Sequence, residues 1–273
     1  MDIHGRNAVV TGAGSGIGRA IAIALAQAGA GVMVADVEAG RAQAVADEIA
    51  AKGGKAAARA ADVRDPGSVA ALADTAWEAL GPVTILCNNA GVTATSEGFD
   101  LSDADLRWQI EVNFIGVFNG MREFGRRFRE QGEPAWIVNT GSHNALGAPF
   151  QHVCAYVGTK HAVLGLSEAY RTDYAGGNVG ISILCPGAVN TNIWDAGRNR
   201  PSEYGGVYQG EIANKQYLAE AGLNPADVGH MVVAGIQAED FYIFTHAEDI
   251  ALIEKRYRES RGCMERQWPQ SVA

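Results

Sequence analysis

Apolar residues fall into two alternating rhythms along the chain. Short runs rich in valine and isoleucine, such as NAVVT at 7–11, give way to longer stretches in which apolar positions recur once per helical turn, as Ile17, Ile21 and Leu25 do. The first rhythm predicts buried strands and the second predicts amphipathic helices. Strands are expected in the same way at GVMVAD, KAAARAAD, VTILCNNAG, AWIVNTGS, GISILCPG and FYIFT, with helices over residues 38–52, 66–80, 103–131, 153–175, 225–238 and 247–261. Neighbouring parallel strands need a crossover of a dozen or more residues, which a helix supplies. Seven strands separated by helices therefore predict an α/β fold, a doubly wound seven-stranded parallel sheet flanked by helices.

Residues 188–224 break the rhythm. They are long, polar and glycine-rich, yet they carry Trp194, Tyr204, Tyr208 and Tyr217. A connection of this length in a compact domain is a functional lid or is disordered, and four aromatic residues argue for a lid. No tandem repeat, low-complexity tract or linker divides the rest, so a single domain is expected over residues 1–273, with the lid at about 188–224.

Composition narrows the partners. A formal net charge of -9 argues against a nucleic acid or an anionic membrane surface, since both attract clustered lysine and arginine. A small molecule is expected instead. The first apolar run is too short for a signal segment, and no stretch reaches the length of a membrane span, so a cytoplasmic protein is expected. Cys87, Cys154, Cys185 and Cys263 stand singly, without the CxxC spacing of a zinc or redox site. Reduced, mostly buried thiols and no metal are the expectation.

The stretch TGAGSGIG at 11–18 lies between the first strand and the first helix. Glycines at this place let the backbone approach a pyrophosphate, and the free N–H groups at the helix start favour its charge. Gly12, Ser15, Gly16, Ile17 and Gly18 are thus candidate cofactor residues. Their spacing is G-x-x-x-G-x-G rather than the commoner G-x-G-x-x-G. Asp36 ends the second strand, where a carboxylate can accept hydrogen bonds from the adenosine ribose. Its alternative role is a cap for the helix over 38–52.

Tyr156 and Lys160 stand four positions apart in a helical stretch, AYVGTK, and so share one helix face. An ammonium beside a phenol stabilises the phenolate and lowers its pKa from about 10, which suits proton exchange with a substrate oxygen. On spacing alone, the alternative is a surface lysine lying along a packed tyrosine.

With these residues in view, the chain resembles the short-chain dehydrogenase/reductase family over essentially its full length. The family's marks stand in order: TGAGSGIG at 11–18, DV at 62–63, NNAG at 88–91, VN at 112–113, TGS at 140–142, YVGTK at 156–160 and PGAVNT at 186–191. The resemblance implies a Rossmann-like fold and a catalytic set of Asn113, Ser142, Tyr156 and Lys160. In it Tyr156 is the acid/base, Ser142 hydrogen-bonds the substrate oxygen, Lys160 lowers the tyrosine pKa and binds the nicotinamide ribose, and Asn113 holds a proton-relaying water. Asn113 could instead bridge backbone groups at a helix kink. The resemblance further implies that Asp62 and Val63 meet the adenine, that Asn89, Ala90 and Gly91 wall the cofactor, and that Pro186, Gly187, Val189 and Thr191 hold the nicotinamide. Members usually form tetramers through the helices over 103–131 and 153–175, so a homo-oligomer, tetramer or dimer, is expected.

NAD is the expected cofactor. Asp36 would repel a 2′-phosphate, and the places where NADP-preferring members carry a cation hold Ser15 and Val37; Arg41 is expected to be solvated. Ser142, His143, Asn144, Tyr156 and Trp194 are candidate substrate residues. His143 is expected to line the pocket or pack rather than relay protons to Ser142, because adjacent residues at a strand end point apart. No second serine follows Ser142 in TGSHNALG, which departs from the family pattern. The lid aromatics suit an aromatic or bulky hydrophobic secondary alcohol or ketone. Within the lid, TNIWDAGRNRPSEYG also resembles the lignin aryl-ether Cα-dehydrogenases. Arg198 and Arg200 are candidates for a substrate carboxylate, with plain solvation the alternative. Competing readings are a non-catalytic NAD(H) sensor, which would be free to lose Tyr156 or Lys160, and an NADP-dependent carbonyl reductase. A sugar-nucleotide epimerase is expected to be longer.

Overall fold

In the computed structural model, which describes residues 1–147, 150–210 and 212–268, the apolar runs form strands β1 (Asn7–Thr11), β2 (Gly31–Asp36), β3 (Ala56–Ala60), β4 (Ile85–Asn88), β5 (Ala135–Thr140), β6 (Val179–Cys185) and β7 (Tyr242–Phe244). They pair in parallel in the order β3-β2-β1-β4-β5-β6-β7. Alternate residues of each strand feed opposite cores. Val9, Met33, Leu86, Ile137 and Ile183 face one side, and Val10, Val34, Cys87, Val138 and Leu184 the other.

Each face is covered by helices. The first is covered by α3 (Pro66–Leu80), α5 (Gly116–Gln131) and α6 (Cys154–Asp173), through Leu72, Phe124, Phe128 and Val163. The second is covered by α1 (Gly16–Gln27), α2 (Ala39–Ala51) and α8 (Pro225–Ala238), through Ile21, Leu25, Ile49 and Val232. This is the Rossmann-like layering expected from the hydrophobic pattern. The helices at 66–80 and 225–238 begin and end where the sequence predicts because both carry a local start signal. Asp65 and Asn224 accept from the backbone N–H two residues on, and proline fills the next position.

Two predicted elements differ. The expected helix over 103–131 is α4 (Asp103–Ile110) and α5, separated by a π-helical turn at Glu111–Ile115. The lid contains structure that its irregular polarity did not reveal: 3₁₀ turns at Ile193–Asn199 and Ser202–Tyr204, and helix α7 (Ile212–Ala221). Its base is clipped shut, with Asn190 N donating to Leu223 O and Leu223 N to Ala188 O, each at 2.9 Å. Tyr204 is buried with Trp108, Val92, Ala94 and Ala196 in a small separate core that joins the lid to α4, and Tyr208 packs against it. A last helix, α9 (Asp249–Gln267), is mostly exposed.

Candidate active site

β1 and β4 are neighbours whose following connections run to opposite faces, and such a switch point leaves a crevice at the carboxyl ends of the strands. Here the crevice is a cleft of about 630 Å³. Gly12 and Gly16 have φ of +62° and +55°, values that favour glycine. A Cβ on Gly12 would come within 2.7 Å of Ala90 Cα, so the two turns that form the crevice can meet only over a bare backbone. Thr11 Oγ1 accepts from Asn89 N and Ala90 N at 3.0 and 3.2 Å, and Asn89 Nδ2 donates to Thr11 O at 3.1 Å.

One end of the cleft is lined with paired charges. Asp36, at the end of β2 and 8% exposed, accepts from Gly14 N (2.9 Å) and from Glu38 N (3.0 Å). It therefore ties the glycine turn to the start of α2 while lining the cleft. Glu38 pairs with Arg41 at 2.8 Å and with the lid's Arg198 at 3.3 Å. Partial burial alone would raise the Glu38 carboxyl, but hydrogen bonding with Asn199 and the charges of Arg41 and Arg198 outweigh it and hold the group below its usual range. Asp62 is engaged by Arg64 at 2.7 Å, and Arg64 also reaches Glu203 in the lid at 2.6 Å. Hydrogen bonding to Asp62 raises the Arg64 pKa further. The arginines differ from expectation: Arg41 and Arg198 are paired with Glu38, and Arg200, 13% exposed, is paired with Asp105 at 2.9 Å. Arg198 and Arg200 thus secure the lid, and existing carboxylate partners occupy them.

The other end is lined by Ser142, His143, Asn144, Tyr156, Lys160, Pro186, Gly187 and Trp194. Tyr156 and Lys160 share the inner face of α6, as their spacing requires. Lys160 is 3% exposed; its Nζ donates to Thr140 O at 2.7 Å and lies 5.5 Å from the Tyr156 ring centre. Burial drives the Lys160 pKa down to about 8. Burial also pushes the Tyr156 phenol up, against a hydrogen bond with Ser142 that pulls it down. The expected depression by Lys160 is not what this geometry gives, because the ammonium points at a carbonyl rather than at the phenol oxygen.

Asn113 sits in the π-helical turn and is fully buried. Its Oδ1 accepts from Val92 N at 2.8 Å, and its Nδ2 donates to Val92 O at 2.9 Å and Thr159 Oγ1 at 3.1 Å. The side chain bridges backbone groups, fastening the segment after β4 to α6. Of the residues expected at the site, Asn113 and Gly18 do not line the cleft; the other predicted cofactor and substrate residues do, Val37 and Val63 included. Gly18 lies beneath the turn, where a Cβ would approach Gly12 O to 2.2 Å. Tyr204 and Tyr208 also face away from the cleft, whereas Tyr217 lines it, next to Phe150 at 6.4 Å between ring centres.

His143 engages Asp249 rather than Ser142, with Nδ1 3.0 Å from Asp249 Oδ1. Arg64, Phe150 and Asp249 were not marked by the sequence; Arg64 reaches Glu203, Phe150 reaches Tyr217 and Asp249 reaches His143 across long stretches of chain. The four cysteines are free thiols, but only Cys87 and Cys185 are buried, while Cys154, at the start of α6, and Cys263, on α9, are exposed. Burial raises both inner thiols to about 12. Among the described residues no helix is long and apolar enough to cross a membrane, and no cluster of three potential metal-ligating His, Cys, Asp or Glu residues occurs.

A crevice with a glycine turn at one side and serine, tyrosine and lysine together at the other is the arrangement a nicotinamide-dependent oxidoreductase needs, and the relatives of the chain are of that class. Residues 6–201 match the short chain dehydrogenase family, and the chain belongs to it. It is 36% identical over 253 residues to the 1-deoxy-11-beta-hydroxypentalenate dehydrogenase of Streptomyces exfoliatus, covering 91% of this chain and 86% of that one. It is 31% identical over 267 residues to the C alpha-dehydrogenase of Sphingobium sp. strain SYK-6, covering 94% and 86%. A solved structure of a short chain dehydrogenase/reductase from Burkholderia phymatum in complex with NAD superposes with a TM-score of 0.90 at 37% identity, covering 96% of each chain.

Proposed function

We propose that the protein is an NAD-dependent dehydrogenase that interconverts a bulky, aromatic or hydrophobic secondary alcohol and its ketone, with Tyr156 as the general acid/base. One observation carries the reading: Tyr156 is hydrogen-bonded to Ser142 and shares a helix face with Lys160, in the same cleft as the glycine turn and Asp36. The residues fit a dinucleotide. Bare glycine backbone lines the turn, and Asp36 retains lone pairs for two ribose hydroxyls, since an ionised carboxylate offers about four acceptor sites. The bound nicotinamide supplies the hydride acceptor or donor. Ser142 orients the carbinol oxygen, and Tyr156 as the phenolate takes its proton during oxidation and as the phenol gives one during reduction. Lys160 is a 2.7 Å donor to Thr140 O in this arrangement, 5.5 Å from the Tyr156 ring centre, and would bind the nicotinamide ribose of a bound dinucleotide. Asn113 acts as the frame that holds the segment after β4 against α6.

Two observations support NAD over NADP: Asp36 lines the cleft with Glu38 two residues on, a pair of carboxylates that would repel a 2′-phosphate, and the nearby Arg41 and Arg198 are already paired with Glu38. The aromatic substrate class is supported by Trp194, Tyr217 and Phe150 on the cleft wall and by the relationship to the C alpha-dehydrogenase. The test is purified protein with NAD+ against a panel of secondary alcohols, read as NADH absorbance. Turnover of benzylic and other bulky alcohols is expected, with ethanol-sized substrates poor. Clear preference for small aliphatic or sugar alcohols would overturn the substrate class, and no turnover at all would leave the protein a dinucleotide-binding sensor.

A further inference from the structure

His143 and Asp249 form a pair at the edge of the cleft that the reading above does not use. His143 directly follows Ser142 and lines the cleft. Asp249 lies 106 residues later, in the first turn of α9, with a side chain 7% exposed. The Nδ1 to Oδ1 distance is 3.0 Å, and Asp249 Oδ2 has no hydrogen-bond partner among the described residues. The pair is held from both sides. Gly147 lies so close to Leu252 of α9 that a Cβ there would come within 2.8 Å, and Arg256 of α9 donates to Ala145 O at 2.7 Å. The imidazole ring packs against Phe150, 5.2 Å between centres.

An ionised carboxylate can only accept, so Nδ1 carries the hydrogen, and a neutral imidazole then presents a bare lone pair at Nε2. Nε2 has no hydrogen bond to a described residue and is not among the buried unpaired atoms, so it opens to the space of the cleft that His143 lines. A bare acceptor beside the residue that orients the carbinol oxygen selects for a second donor on the same molecule. We propose that His143 recognises a second free hydroxyl on the substrate, a few bonds from the reacting carbinol, and that Asp249 is the positioning residue that fixes the tautomer. The preferred substrates are therefore bulky secondary alcohols that are also diols. This rests on the alcohol dehydrogenase reading above.

The test uses the full chain with NAD+ and matched probes: 1-phenylethanol, 1-phenyl-1,2-ethanediol, 1-phenyl-1,3-propanediol, and the ethers of both diols methylated at the terminal oxygen. A diol should exceed its methyl ether in kcat/KM by at least tenfold, mainly through KM. In Asp249→Leu no acceptor holds the Nδ1 hydrogen, so the tautomer is no longer fixed, and an Nε2–H donates to a hydroxyl and an ether oxygen alike. The diol preference should then fall towards one while 1-phenylethanol is still oxidised, a split that a purely structural role for Asp249 would not give. In His143→Phe the ratio should collapse towards one. Thermal melting confirms that each variant is folded, and the similarly sized Asp249→Leu carries the test if His143→Phe does not fold. Oxidation of 1-phenylethanol with no preference for either diol, or an unchanged ratio in folded Asp249→Leu, overturns this proposal alone. Failure of every probe, 1-phenylethanol included, overturns the alcohol dehydrogenase reading and this proposal with it.

Discussion

At the Asp36 end of the cleft the charged groups are matched, while at the Tyr156 end polar atoms with capacity left over are buried side by side. Asp36, Glu38, Asp62 and Arg64 each have partners within 3.3 Å. Tyr156 is held above its ordinary pKa, Lys160 is driven to about 8 while its ammonium donates to a carbonyl, and Asp249 has an oxygen without a partner among the described residues. The first arrangement is preorganised for binding and adds little strain. The second is costly in the folded protein, because burying polar groups with incomplete partners is unfavourable, and it is the end where chemistry needs such groups to change state.

The sharpest way to break this comparison is at the phenol. Tyr156→Phe should leave dinucleotide binding nearly intact and lower kcat by at least ~10²-fold, the effect of losing a general acid/base. Binding is read by quenching of protein fluorescence and turnover by NADH absorbance; substantial turnover by a folded variant would remove Tyr156 from its assigned role.

The next effect is on stability. With its pKa at about 8 instead of 10.5, the charged form of Lys160 is disfavoured by roughly 3 kcal/mol, at 1.36 kcal/mol per tenfold change in proton affinity. Lys160→Met removes that burden and also the hydrogen bond to Thr140 O, worth about 1 kcal/mol. A net gain of about 2 kcal/mol, or roughly 4–8 °C in Tm, should accompany loss of activity. The sign with pH follows from linkage. Below pH 8 the buried amine stays charged and the variant's advantage is full; between pH 8 and about 10.4 the amine loses its proton in the folded state first, and the advantage shrinks. Melting curves of both proteins from pH 7 to 10 check this, and a variant less stable than the parent at pH 7 would contradict it.

The smallest of the three effects belongs to the matched end. The parent protein should favour NAD over NADP by at least ~10-fold in kcat/KM, about 1.4 kcal/mol. Asp36→Ala should reduce that ratio by easing repulsion of the 2′-phosphate while weakening NAD, with Glu38 preserving part of the preference. Equal efficiency of the parent with both dinucleotides would reduce Asp36 to its two backbone hydrogen bonds.

What could be read from the sequence follows the range over which each contact acts. The sheet was legible because alternate strand residues and one face of each helix must be apolar, and the helix starts at Pro66 and Pro225 are marked within three residues. The Tyr156 and Lys160 pair was legible because four residues along a helix is one turn. The π-helical turn was not, since the cause is a set of bonds between Asn113 and Val92, 21 residues away. For Asn113 the sequence left two roles open, a water-holding site residue from the family motif and a bridge at a helix kink, and its side chain makes the bridge. α7 lacks a clean apolar face, so no periodicity announced it. Arg64 and Glu203 are 139 residues apart, and His143 and Asp249 are 106 apart; neither pairing leaves a trace in local pattern.

The lid is fastened in two ways, and these respond to different conditions. Its inner part rests on Tyr204 and Ala196 packed with Trp108, beside the Arg200–Asp105 pair. Its outer part is held by Arg198 to Glu38 and by Glu203 to Arg64, both partly exposed. Contacts of the second kind contribute at most about 1 kcal/mol each and weaken as ionic strength rises, whereas burial of an aromatic ring is indifferent to moderate salt and strengthens on warming from the cold. The ion pairs are therefore expected to loosen first as salt rises, with the aromatic packing and the sheet beneath left in place. Salt and temperature become separate handles on a single piece of chain, one acting on its ion pairs and the other on its buried aromatic packing.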